Sequence, residues 1–210
     1  RRMEIIGDSI TAGYGNEGAT RFCRFSPKTE NFLRTYVGIA AAAVGVEPSV
    51  IAWSGKGVAR NYGGDTREPT LPAIYERSVP TEPGSRWVDE GPVDVVLINL
   101  GTNDFSTDAD PTAEEFVAAY VAMLAAVRAR HPHAPILCTV APLLRDDERA
   151  LVESYIDRAL ARRREAGDAR LRRIELHAAP NGWGCDWHPS AATHAAMAKR
   201  LVPALEDALR

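Results

Sequence analysis

Cysteine is scarce in this chain of 210 residues: Cys23, Cys138 and Cys185, with no CxxC pair and no histidines at ligand spacing beside them. That pattern excludes a disulfide-dense scaffold and gives no support to a structural zinc site or a dithiol redox centre. Cys138 lies in an apolar run, where a thiol behaves as a small core residue, so at most one bridge, Cys23 to Cys185, is conceivable. Also lacking is any apolar run approaching the roughly 18 residues of a membrane span, and Arg1-Arg2-Met3-Glu4 carries no signal-peptide core. Nor is there an excess of charge. The 25 basic and 28 acidic residues give a net −3, which offers no footprint for nucleic acid or for an anionic membrane surface. A small neutral or polar substrate is the partner these absences leave.

What the chain does have is 45% hydrophobic residues over a length that suits one sizeable core, so a single domain over residues 1–210 is expected. The first residue is not methionine, and Ile5 and Ile6 already read as part of a buried strand, so the native polypeptide is expected to extend upstream. Short apolar runs alternate with longer amphipathic ones, which predicts an α/β fold: a three-layer α/β/α sandwich with a five-stranded parallel sheet. The strands are expected over Met3–Ile6, Ser49–Trp53, Val93–Leu100, Ile136–Val140 and Leu171–Leu176. Helices are expected over Asn31–Val44, Thr112–Arg130, Asp147–Ala166 and Ala191–Leu209, with Thr112 and Glu115 spaced as a capping box. Pro, Gly and Asn cluster at 62–65, 80–84 and 179–184, marking loops.

Ligands of an open α/β sheet bind beyond the carboxyl ends of its strands. There the chain places Gly7-Asp8-Ser9-Ile10, then Ser54-Gly55-Lys56-Gly57, then Gly101-Thr102-Asn103-Asp104. Acyl transfer needs an activated hydroxyl, a base, a group that orients the base, and donors facing the oxyanion. Ser9, in a sharp turn opened by Gly7, is the candidate nucleophile, and His188 in the last loop is the candidate base. Asp186 is the candidate acceptor for His188 Nδ1. The Ser9 and Gly57 backbone N–H groups and the Asn103 side-chain amide are the candidate oxyanion donors, with Gly55 an alternative to Gly57.

These four blocks, ending in Asp186-Trp187-His188-Pro189, resemble in order those of the SGNH (GDSL-type) hydrolase superfamily, over nearly the whole chain. Three longer stretches, Ile6 to Asn16, Ala52 to Tyr62 and Gly184 to Pro189, resemble carbohydrate esterase family two. That resemblance implies the SGNH hydrolase fold and removal of O-acetyl groups from xylan or other plant polysaccharides and sugars, with no cofactor and no metal. It also implies an upstream β-sandwich (jelly-roll) domain and secretion. Some members of that family use a Ser–His dyad oriented by a backbone carbonyl, so the role of Asp186 stays open between carboxylate and none.

Trp183 and Trp187 bracket Asp186 and are candidate substrate contacts, as are Tyr14 and, less so, Tyr62. Asp8 and Asp104 are expected to tie down turns. His131 and His133 read as surface residues, and His194 as solvated or partly packed. Two other functions compete: an SGNH lipase, lysophospholipase or thioesterase, which needs a long apolar channel, and a polysaccharide-binding module without turnover. Oligomeric state is not legible from the chain.

Overall fold

In the computed structural model of the chain, residues 1–210 are described apart from 66, 89–90, 108–109, 142 and 179–180; the last pair removes the start of the expected 179–184 loop. Five parallel strands form one sheet: β1 (Arg2–Gly7), β2 (Glu47–Ala52), β3 (Val95–Asn99), β4 (Ile136–Thr139) and β5 (Leu171–Arg173), in the order β2-β1-β3-β4-β5. β1 is in register with both neighbours, Ile5 lying opposite Val50 and Leu97. The fold is the three-layer α/β/α sandwich of SGNH hydrolases.

β3 and β4 are buried along their whole length because both faces of the sheet are covered, which is why they read as unbroken apolar runs. Ile6, Ile98, Ile136 and Cys138 point to one face, where α4 (Ala113–Arg130) and α5 (Asp146–Glu165) lie side by side. Met3, Ile5, Leu97 and Leu137 point to the other, under α2 (Tyr36–Val44) and α6 (Ala191–Ala208). Two further helices are single turns, α1 (Ser9–Ala12) and α3 (Leu71–Ile74). The capping box expected at Thr112 is present, its hydroxyl accepting from Glu115 N while the Glu115 carboxylate accepts from Thr112 N.

α2 starts five residues later than expected. Asn31 and Thr35 each cap a helix start, Asn31 opening a 3-10 turn over Phe32–Arg34 and Thr35 opening α2 itself, so the segment is two short helices. β5 stops at Arg173 and β3 is shorter by about the same margin at its ends, where apolar residues continue into loops.

This strand order decides where chemistry can occur. β1 lies between β2 and β3, so the turns that follow these three strands emerge side by side at one edge of the domain, at the point where the winding of the sheet reverses.

Candidate active site

The first of those turns is tight because Gly7 has no side chain: a Cβ there would overlap Thr11. Asp8 then caps α1, its Oδ1 accepting from Ile10 N at 2.9 Å. This presents Ser9, 7% exposed, as the first residue of the helix, its own N–H free of any intrahelical partner.

Facing it is His188, from the loop between β5 and α6, with Nε2 2.9 Å from Ser9 Oγ. Its Nδ1 lies 3.0 Å from the main-chain carbonyl oxygen of Asp186. A carbonyl can only accept, so Nδ1 carries the proton and Nε2 presents its lone pair to the serine hydroxyl. Burial pushes the imidazole below its ordinary 6.5, against the Asp186 carbonyl and carboxylate, which favour the cation. The ring is therefore the neutral base that attack by serine requires.

The Asp186 carboxylate does not hold Nδ1, which corrects the first of the two readings open above. Its Oδ2 accepts from Phe25 N at 2.8 Å and from the Tyr14 hydroxyl at 3.0 Å, and these bonds hold it below the usual carboxylate range. The physical reason is the backbone: Asp186 (φ 48°) and Trp187 (φ 62°) are both left-handed, which turns the Asp186 carbonyl toward His188 and its side chain away. Aspartate tolerates this conformation, whereas a bulky tryptophan there stores about 1–3 kcal/mol of strain. Surrounding bonds hold the turn. Cys185 N donates to Gly15 O, Asp186 N to Cys23 O and Ala191 N to Asn16 O, at 2.9, 3.0 and 2.9 Å. Cys23 and Cys185 form a disulfide, the one bridge the sequence allowed, so segment 14–25 is covalently strapped to the base loop.

Asn103 stands on the third turn, 7% exposed, and its Nδ2 donates to Lys56 O at 2.9 Å and more weakly to Asp8 Oδ2 at 3.3 Å. Asp8 is pushed up to about 7 by burial, with the neighbouring Asp104 acting in the same sense. Asp104 accepts from the N–H groups of Val58, Ala59 and Arg60 at 3.0, 2.7 and 2.8 Å and so binds the second turn to the third, the tying role expected of it. Gly57 sits inside that tie. Its N–H is directed at Asn61 Oδ1, and a Cβ would overlap Arg60 and Asp104, so the glycine is needed for packing between turns. Gly55, at φ 78°, lines the cleft in its place.

The cleft over Ser9 encloses about 840 Å³. Trp183, Trp187, Tyr14 and Tyr62 all line it, as do Phe22, Arg21 and Arg24 from the strap. Trp187 is half exposed and packs edge-on against Trp183 and Phe22, with the Arg21 guanidinium 4.3 Å from its ring centre. Besides lining the cleft, Tyr14 stacks on Phe25 and lies tilted against the His188 ring, with centroids 4.1 and 4.3 Å apart. Two histidines depart from expectation. His131 is 3% exposed and pairs with the buried Glu4 carboxylate, and His194 is fully buried, accepting from Tyr36 N and pushed down to about 4 by burial. No group of three or more His, Cys, Asp or Glu side chains suited to a metal occurs among the described residues. Likewise, no helix among them is long and apolar enough to cross a membrane.

Residues 5–196 match the GDSL-like lipase/acylhydrolase family. The chain belongs to that family. This GDSL-like acylhydrolase is 41% identical over 213 residues to the cellulase/esterase CelE of Acetivibrio thermocellus, a match covering 100% of the chain and 26% of CelE. It is 28% identical to an acetylxylan esterase / glucomannan deacetylase of Cellvibrio japonicus, over 99% of the chain and 57% of that protein. Among solved structures it superposes with a TM-score of 0.92 on a family two carbohydrate esterase from Clostridium thermocellum in complex with cellohexaose, at 39% identity over 99% of the chain and 64% of that one. The GDSL-like chain thus spans less than two thirds of each of these relatives.

Proposed function

We propose that this domain is a carbohydrate O-acetylesterase acting on acetylated xylan or a related plant polysaccharide through an acetyl-serine intermediate. The observation that carries the reading is the 2.9 Å contact between Ser9 Oγ and His188 Nε2, in an open cleft walled by aromatic rings. Ser9 Oγ attacks the acetyl carbonyl while Nε2 takes its proton. The tetrahedral oxyanion is met by the Ser9 N–H, the Asn103 amide and the Gly55 N–H, the last in place of Gly57. The imidazolium then protonates the departing sugar oxygen, and the same base activates the water that releases acetate. Trp183, Trp187 and Tyr62 offer faces for sugar rings, while Tyr14 backs the base. Work on an extracellular polymer implies secretion of the native protein.

The cleft also speaks against a long-chain lipase. Among the described residues, Leu143 is the only aliphatic side chain that lines it, so there is no apolar channel for an extended acyl group. The test is hydrolysis of p-nitrophenyl acetate, butyrate and octanoate, with acetate release from acetylated xylan, for the wild type and Ser9→Ala. Acetate preference, xylan deacetylation and loss of activity by orders of magnitude in Ser9→Ala are expected. Preference for octanoate points to a lipase, and activity that survives Ser9→Ala sinks the mechanism.

A further inference from the structure

The charged groups of the cleft are unevenly distributed. Besides the neutral His188, its lining carries two guanidiniums, Arg21 and Arg24, and one carboxylate, Asp186. That carboxylate is already engaged by Phe25 N and the Tyr14 hydroxyl, and Arg24 reaches only to within 3.8 Å of it while remaining 94% exposed. Arg21 lies over the Phe22 and Trp187 rings, 5.0 and 4.3 Å from their centres. Stacking occupies the face of a guanidinium and leaves its N–H edge for a planar anion. Both arginines stand on the strap that Cys23 anchors to Cys185, so their backbone is fixed relative to Ser9 and His188. Two guanidiniums against one carboxylate leave the lining at net +1, in a chain whose overall charge is −3.

We infer that the cleft selects acetylated saccharides bearing a carboxylate near the acetylated residue, a uronic acid unit, with Arg21 and Arg24 as the specificity-determining pair. This rests on the deacetylase reading above and narrows its substrate class. A neutral glucan or mannan unit meets the same aromatic faces but leaves both guanidiniums to water. Because Arg24 is exposed and Arg21 only partly covered, the preference is modest: two solvent-screened contacts correspond to about five-fold together.

The probes are two acetylated xylo-oligosaccharides matched in length and acetyl position, one with a glucuronosyl branch and one without, and the readout is the ratio of their kcat/KM values. A wild-type ratio of about five that falls toward one in Arg21→Gln/Arg24→Gln, and partly recovers in Arg21→Lys/Arg24→Lys, is expected. In the wild type the ratio should also collapse at about 1 M salt, where the screening length is about 3 Å, a check that needs no variant to fold. A wild-type ratio of one or below, or a ratio that survives the double Gln substitution or high salt, overturns the proposal. Turnover of the neutral probe keeps that failure distinct from failure of the deacetylase reading, since neither probe would then release acetate.

Discussion

Replacing Asp186 by asparagine separates the two ways in which this residue can serve His188. If the carboxylate oriented Nδ1, its loss would cost about 10⁴-fold in kcat, as in a serine protease triad whose aspartate becomes asparagine. In this structure Nδ1 is bonded to the main-chain carbonyl, which the substitution leaves in place. Left-handed backbone suits asparagine as well as aspartate, so the φ of 48° is kept. Both bonds to the side chain converge on one oxygen, Oδ2, and an amide oxygen there can accept from Phe25 N and the Tyr14 hydroxyl together. What changes is their strength, because each ceases to be charge-assisted, at about 0.5–1 kcal/mol apiece. The expected loss in kcat/KM is therefore about 5–30-fold. A second signature accompanies it. The carboxylate favours the imidazolium, so without it His188 titrates still lower and the acidic limb of the pH–rate profile moves to lower pH. Initial rates on p-nitrophenyl acetate from acid to mildly alkaline pH, with the melting temperature recorded alongside, give both quantities. A loss near 10⁴-fold with unchanged melting temperature would refute the carbonyl assignment.

Reducing the Cys23–Cys185 bridge, or making Cys23→Ser, should lower the melting temperature by roughly 4–20 °C, from the about 2–5 kcal/mol typical of a native disulfide in a chain of this size. It should also lower kcat below that melting point, since the strap holds the carbonyl that orients the base; an unaltered kcat would show that the hydrogen bonds suffice. Asn103→Ala should reduce kcat about 10²–10³-fold with KM little changed, measured on the same ester, and a KM effect alone would remove Asn103 from the oxyanion site. Asp8, raised to about 7, binds more protons in the folded than in the unfolded chain between about pH 4 and pH 7, so its contribution to stability falls as pH rises through that window. In urea melts, Asp8→Asn should therefore gain about 2–3 kcal/mol on the wild type between about pH 5 and pH 8; a pH-independent difference would place Asp8 at an ordinary pKa.

The sheet was legible because β1, β3 and β4 are covered on both faces, and such strands read as mostly apolar runs even where a buried Glu4 or Asn99 interrupts them. Ser9 and His188 were legible because glycine and proline limit the turns that carry them. The acceptor for Nδ1 was not, since the choice between an Asp186 side chain and its own carbonyl depends on φ at two residues rather than on residue type. Gly55 and Gly57 were indistinguishable for a related reason. Both positions favour glycine, Gly55 for its left-handed φ of 78° beside the cleft and Gly57 because a Cβ would overlap Arg60 and Asp104, and the letter does not reveal which reason applies. The burial of His131 was not legible because its neighbour, Glu4, lies 127 positions away in β1, and a buried polar contact between distant elements leaves no local mark.

An orienting group made of main chain has an uncommon relation to mutation. No single codon change deletes the Asp186 carbonyl, so a scan that replaces side chains one at a time would find a nucleophile and a base and detect what steers the base only indirectly. The vulnerable quantity is the path of the chain through 185–187, and it is encoded elsewhere: in the glycine at 184, which nests against Gly15, in the cysteine at 23, and in the hydroxyl of Tyr14. Redesign of the substrate cleft through the strap would therefore reach the proton-transfer geometry as well, and so would redesign at Trp183, which is bridged to Pro189 beside the base.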